Sequence, residues 1–240
     1  MGLVDLHLHL LPAVDDGAKS LDDSIEMARA LVLLGFDTLA PSPHHRAEYP
    51  SLSRERCSTA LASLRTTLKE VGLTVALHPN AENFFLEDAF QADLVGGTVR
   101  TVAGSRVVLI EAPYHGPMPG LLDAIFRMKL KGLTPLIAHP ERCMEFEKVE
   151  RARSAVDAGA LLQLDVGALI GRYGKTAQKV ASKLLADGLY AVAATDLHSP
   201  VKAGEWVGES LQALRKAAGD KGLTQLFDTT PRKLLAGEGV

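Results

Sequence analysis

Short runs rich in β-branched and aliphatic residues alternate with longer amphipathic runs along the chain, and brief connections join them. Such alternation calls for parallel strands with helices covering the faces of the sheet. Candidate strands are Leu3–Leu8, Thr38–Pro41, Thr74–Leu77, Val107–Ile110, Thr134–Ile137, Leu161–Leu164 and Ala191–Ala194. Candidate helices lie near Asp22–Leu34, Ser53–Val71, Gly120–Lys131, Met144–Ala158, Gly174–Asp187, Ala203–Ala218 and Pro231–Leu235. About seven such units suit a closed or nearly closed α/β barrel. An open doubly wound sheet is the structural alternative. No GxGxxG follows the first strand, so a dinucleotide site has no support. The 240 residues show no linker, repeat or compositional break, and residues 1–240 are expected to form a single domain.

Local chemistry supports several of these boundaries. Ser20 followed by Asp23 resembles a capping box, and Ile25, Met27, Ala28, Leu31 and Leu34 follow a helical stripe. Gly35, Gly132 and Gly188 each fall after a helix and before a strand, where a helix stop belongs. Pro231 suits the first turn of the last helix.

Charge and cysteine content exclude several classes of function. The formal net charge is −3, so no basic field invites nucleic acid or an anionic membrane. Cys57 and Cys143 have no CxxC spacing and no third partner, which argues against a disulfide framework or a thiolate zinc site. A thiol-based tyrosine phosphatase needs an arginine six residues after its cysteine, and those positions hold Ser63 and Val149. The start, MGLVDLHLHLLP, lacks the basic residue and unbroken apolar run of a signal peptide. Leu6 stands where a myristoylation signal wants Ser or Thr. No stretch reaches the ~18 apolar residues of a membrane span. A cytoplasmic protein without direct membrane insertion is expected.

The chemistry lies in repetition. His7 and His9 sit two apart on the first candidate strand, so both imidazoles point to one face, with Asp5 on the same side. The second strand runs into Pro43-His44-His45-Arg46 and the third to Glu82. The fourth ends at Glu111, the fifth at His139-Pro140-Glu141-Arg142 and the seventh at Asp196-Leu197-His198. Strand ends at one face of a barrel converge, so these residues become neighbours in space. Any one of them alone reads as a satisfied polar residue. Together they read as a metal cluster, and nitrogen and oxygen donors without thiolate suit zinc, iron or manganese.

The series DLHLHLLPAVDDGA, LAPSPHHR, LIEAP, PLIAHPER, LLQLDVGALIGRYG and ATDLHS resembles the PHP (polymerase and histidinol phosphatase) superfamily. More narrowly, it is similar to the bacterial manganese-dependent protein tyrosine phosphatases of capsule and exopolysaccharide operons. The resemblance runs from Asp5 to the Pro231 region, with the motifs in the family's order. It implies a distorted (β/α)7 barrel of the PHP type with two or three divalent metals, Mn2+ first and iron or zinc as alternatives. The implied ligands are His7, His9, Asp16, His44, Glu82, Glu111, His139, Asp196 and His198, with Glu111 bridging metals. Arg142 matches an arginine that holds the phosphoryl group, its fork fitting two oxygens. The implied substrate is a phosphotyrosine protein, by analogy an autophosphorylating bacterial tyrosine kinase.

Three departures from the family pattern stand out. The third-strand motif reads HPNAENFF where Gly-Ala-Glu is more frequent. The sixth strand ends in Asp165 where asparagine is usual, and a loop-capping role is expected for it. The family's arginine shortly after DxH is missing from HSPVKAGEW, and Lys202 is the candidate to replace it in part. A leaving tyrosine has a pKa of ~10, and either an aquated metal or a nearby histidine such as His45 is a candidate proton donor. Tyr114 and Phe84 are candidates to stack on the phosphotyrosine ring or simply to pack, and His78 and His115 read as loop residues. Two other functions fit the pattern: a small-molecule phosphatase such as histidinol phosphatase, and a metal-binding barrel retained as an interaction module.

Overall fold

The computed structural model describes residues 2–239. Its strands are β1 (Leu3–Asp5), β2 (Phe36–Leu39), β3 (His44–His45), β4 (Ala76–Leu77), β5 (Glu82–Phe84), β6 (Val107–Glu111), β7 (Thr134–Ala138), β8 (Leu161–Asp165) and β9 (Val192–Ala194). All pairings are parallel, in the orders β1-β2-β4 and β3-β5-β6-β7-β8-β9. The helices are α1 (Leu21–Leu33), α2 (Arg54–Glu70), α3 (Asp88–Gly96), α4 (Leu121–Leu130), α5 (Val149–Asp157), α6 (Gly174–Ala186), α7 (Ala203–Thr224) and α8 (Thr230–Leu235).

Prolines stand at two of the breaks between the sheets. β2 and β3 are successive segments of one path interrupted at Pro41 and Pro43, and Pro79 falls between β4 and β5. Proline has no N–H to give to a ladder, so pairing stops and resumes beyond it. Counted as paths, there are seven, and the result is a distorted (β/α)7 barrel. The last path meets the first through one bridge, Leu8 to Leu197, rather than a full ladder. Backbone bonds from Asp196 N to His7 O and from His9 N to Leu197 O, both 2.9 Å, hold this seam. So does the Thr195 hydroxyl, which donates to Asp5 Oδ2 at 2.5 Å.

Both faces of the continuous strands are covered, as a parallel sheet requires. Along β6, Val107 and Leu109 pack in one apolar cluster with Leu136, Val192 and Leu234 of α8, while Val108 and Ile110 pack in the cluster beneath the other helices. The Ser20 hydroxyl accepts from Asp23 N, and the Asp23 carboxylate accepts from Lys19 N, so the start of α1 is doubly capped.

Four expectations need correction. The first ladder ends at Asp5, so His7 and His9 lie on its extended continuation. α3 was not expected: Phe90 is the one buried residue on it, too little to form a stripe. The helix expected from Met144 begins as a separate 3-10 turn, Met144–Phe146, with α5 starting at Val149. The helix expected to end at Ala218 continues to Thr224 across a kink at Gly219.

Candidate metal centre

Five imidazoles (His7, His9, His44, His139 and His198) and four carboxylates (Asp16, Glu82, Glu111 and Asp196) converge at the C-terminal ends of the strands. Their donor atoms form four overlapping groups: His9, Asp16, His44 and His198; His7, Glu82 and His139; His7, His9 and Asp196; His44, Glu82 and Glu111. Within each group the atoms lie within 4.8 Å of one another. All nine sequence candidates for ligands are therefore brought together.

Glu82 is at the centre of the cluster. Its oxygens lie 2.7 Å from His44 Nδ1, 2.9 Å from His139 Nε2, 3.3 Å from His7 Nε2 and 3.5 Å from His9 Nε2. Asp196 Oδ1 is 3.2 Å from His7 Nε2 and 3.3 Å from His9 Nε2. Asp16 Oδ1 faces His44 Nε2 at 3.3 Å and His198 Nε2 at 3.6 Å. His139 (φ 32) and Asp196 (φ 51) both have left-handed backbone, an unfavourable conformation for such residues that the surrounding fold imposes. Gly17 is compact for a reason visible here: a Cβ on it would lie 2.2 Å from the His9 carbonyl oxygen.

The electrostatics follow from this packing. Burial opposes a charge on His9, but the Asp15, Asp196 and Glu82 carboxylates together outweigh it and raise the ring's pKa well above the ordinary value. Burial likewise opposes a charge on His44, and Glu82 and Asp16 together outweigh it, lifting that ring to about 10. Burial alone would raise Glu82 and Asp196; His7, together with other imidazoles, holds both well below the usual carboxylate range. His198 moves the other way, lowered by burial and then by His9, whose ring stacks on it at 3.8 Å.

The donor set fits divalent cations. His7 Nε2, His9 Nε2, His44 Nδ1, Glu82 Oε2, Glu111 Oε1 and Asp196 Oδ1 are buried without a hydrogen bond of adequate geometry. Buried polar atoms left this way mark a place for an ion. Several of these side chains belong to two groups at once, as expected of a polynuclear site.

Supporting residues that the sequence reading did not single out complete the arrangement. Asp15 accepts from His9 Nδ1 at 2.8 Å, leaving Nε2 free to ligate. Gln163 lies 2.8 Å from His7 Nδ1, and its Oε1 is buried without a partner. With the amide turned so that Oε1 accepts from Nδ1, both are satisfied and His7 Nε2 is also freed. Arg46 pairs with Glu111 and lies 4.0 Å over the Phe84 ring. The adjacent aspartates of DDG and the Arg of HHR were visible signals, whereas nothing in the sequence pointed to Gln163.

Arg142 is paired neither with Glu141 nor with Glu145. Its Nη1 donates to Asp196 Oδ2 at 2.5 Å and to Asp165 Oδ2 at 3.2 Å. Tyr114 and Tyr173 flank its guanidinium at 4.9 and 4.1 Å. Asp165 caps the following turn by accepting from Gly167 N, the expected loop role, and adds the arginine contact. Arg142, Asp196, His198 and Lys202 line one cavity of about 780 Å³. Lys202 is on its exposed rim, 3.4 Å from Glu205. His45 is turned away from the cluster: neighbours on a strand face opposite sides, and its Nδ1 meets Asn83 Oδ1 at 3.0 Å. It is therefore not placed to protonate a leaving group.

A barrel whose strand ends gather this many imidazoles and carboxylates has the donor set of a metal-dependent hydrolase. The chain belongs to the family described as capsular polysaccharide synthesis, CpsB/CapC, which matches residues 3–236. It is 32% identical over 225 residues to the tyrosine-protein phosphatase YwqE of Bacillus subtilis (strain 168), covering 91% of this chain and 86% of that one. It is 27% identical over 239 residues to the tyrosine-protein phosphatase CpsB of Streptococcus pneumoniae, covering 97% and 98%. A crystal structure from work on those two proteins, described as unique metal-dependent tyrosine phosphatases, superposes with a TM-score of 0.90 at 29% identity, covering 99% of this chain and 96% of the other. An organophosphorus hydrolase from Deinococcus radiodurans shares the fold alone, with a TM-score of 0.61 at 14% identity over 98% and 93% of the two chains. No helix among the described residues is long and apolar enough to cross a membrane.

Proposed function

We propose that this chain is a metal-dependent protein tyrosine phosphatase acting in the cytoplasm on an autophosphorylated bacterial tyrosine kinase linked to capsule or exopolysaccharide production. Residues 1–240 act as one phosphatase domain. The observation that carries the reading is Glu82, a buried carboxylate within 3.5 Å of four imidazoles, in a chain of the CpsB/CapC family. Two or three divalent ions, with Mn2+ as the native metal, are held by His7, His9, Asp16, His44, Glu82, Glu111, His139, Asp196 and His198. When bound, they supply a water nucleophile of lowered pKa and neutralise the phosphoryl oxygens.

The protein's own groups do the positioning. Arg142 offers its fork to phosphoryl oxygens in a place fixed by Asp165, Asp196 and two tyrosine rings. Lys202 adds a second cation at the rim. Asp15 and Gln163 hold His9 and His7 in the tautomer that presents Nε2 inward. Burial excludes bulk water around His7, His9 and Arg142 and so strengthens their interactions.

The test is an assay on chelator-stripped and metal-restored protein, with phosphotyrosine peptide, phosphoserine peptide and histidinol phosphate side by side. Activity on the phosphotyrosine peptide should vanish on stripping and return with manganese. Full activity in metal-free protein would refute the metal site, and a preference for histidinol phosphate would refute the substrate.

A further inference from the structure

A second cavity, of about 450 Å³, lies between one face of α2 and the loops around Pro41, Asn80 and Arg100. It shares no lining residue with the nine-residue metal cluster. Three of its lining side chains are arginines, Arg54, Arg65 and Arg100, and none is acidic. Leu61 and Val99 supply apolar wall, so the cavity has the size and mixed lining of a small-molecule site.

The charges there are not balanced. Arg54 pairs with Asp93 at 2.6 Å. Among the described residues, Arg65 and Arg100 have no carboxylate within 4.0 Å. Arg65 donates only to the Leu77 carbonyl, at 2.6 Å. Arg100 is 9% exposed and donates to the carbonyls of Ser51 and Leu52, and its Nε has no partner. Burial, and with it the nearby Arg54, makes the Arg100 charge costly, although Cys57 and the Asp93 carboxylate, which is already paired with Arg54, work the other way. A buried guanidinium without an anion is unfavourable, and a ligand that brought one would relieve it. The first turn of α2, with Arg54, adds the positive end of the helix dipole.

We infer that this cavity binds a small organic oxyanion, a phosphate ester or carboxylate on an apolar body, at a site separate from the metal cluster. Arg65 and Arg100 take the oxyanion, and Leu61 and Val99 take the body. The site is connected to the cluster through Arg100 Nη1 to Ser51 O at 2.7 Å and Ser51 Oγ to His44 O at 2.5 Å. The inference does not depend on which phosphoester the metal site cleaves.

Cys57 reports on the cavity directly, because it lines the wall, while Cys143 is buried elsewhere. The rate of Cys57 alkylation by N-ethylmaleimide, followed by mass spectrometry on the metal-loaded full chain, is measured against phenylphosphonate, benzoate and neutral benzamide. Saturable protection by at least one of the two anions, and none by benzamide, is expected. The anion that protects at lower concentration identifies the oxyanion preferred. Arg65→Glu should weaken protection by on the order of tenfold or more. Arg65→Lys, which keeps the charge, should stay within about threefold. Arg65 is exposed, so both variants should fold, and circular dichroism checks this. Absence of protection by both anions, equal protection by benzamide, or unchanged protection in Arg65→Glu would each overturn the site.

Discussion

The two halves of the barrel carry different parts of the site. The first three paths are broken, and from them and their loops come His7, His9, Asp16, His44 and Glu82. The last four, built on β6 to β9, are continuous through their ladders and contribute Glu111, His139, Asp196 and His198 at or just beyond their ends. Arg142 and its carboxylate partners belong wholly to this second half: Arg142 follows β7, Asp165 ends β8, and Asp196 follows β9. Interrupting the ladder before the strand ends gives the chain freedom to crowd several donors around one point. An unbroken ladder spaces its ends regularly, which suits holding one cation and one substrate group in fixed relation. The broken half should therefore govern how tightly metal is held, and the continuous half should govern what the site does with phosphate.

The largest effect should come from Glu82. Glu82→Ala removes the carboxylate nearest to four imidazoles, so bound metal should drop by at least one equivalent and turnover should fall to background. Elemental analysis beside kcat checks this, and retention of full metal content would place the centre of the cluster elsewhere. Arg142→Ala should keep its metal and lower kcat/KM by about a hundredfold to a thousandfold, the usual cost of one preorganised donor to transition-state charge. If its metal falls in parallel, the division between the halves fails, because Arg142 would then be supporting Asp196 as a ligand. Asp15→Asn should weaken metal affinity by about tenfold to a hundredfold through loss of the bond that orients His9. Full activity should return at high manganese, which sharpens the difference from Arg142→Ala.

The smallest effect concerns stability in the continuous half. Glu141 is buried, accepts from Asp165 N and from the Tyr190 hydroxyl, and is pushed up to about 8 by burial and then by the Asp165 carboxylate. Its folded pKa exceeds the ordinary 4.5, so the folded chain keeps a proton that the unfolded chain has lost. This contribution to stability therefore declines as pH rises from about 4.5 to 8. Glu141→Gln, which is neutral throughout, should flatten the decline. Thermal melts of metal-stripped protein at pH 5 and pH 8 measure it, and equal slopes for variant and parent would mean that Glu141 is ionised in the fold.

Much of the architecture was legible because it rests on local rules. The continuous strands were read nearly to the residue, since their runs are largely apolar and a glycine stands before each of the last three. The Ser20 cap was legible because its partners are three and four residues away. Reading failed where proline divided a path, as with Glu82, expected after a strand and found within β5. It failed again at α3, whose single buried side chain leaves no periodic signal.

What the sequence by itself determined is the alternation that builds a parallel barrel and the kind of donor at each strand end, imidazole and carboxylate without thiolate. These follow from side-chain periodicity and from the chemistry of the residues present. The motif resemblance already picked His44 and Asp16 as ligands, but only the tertiary structure showed what their neighbours do: His45 turns away to Asn83, and Asp15 braces His9. It alone gave Arg142 its partners, 23 and 54 residues away, and set Gln163 against His7 across 156 residues. The reason is physical. The direction of a side chain depends on the phase of its strand relative to its neighbours, and that phase is set by pairing between segments far apart in the chain.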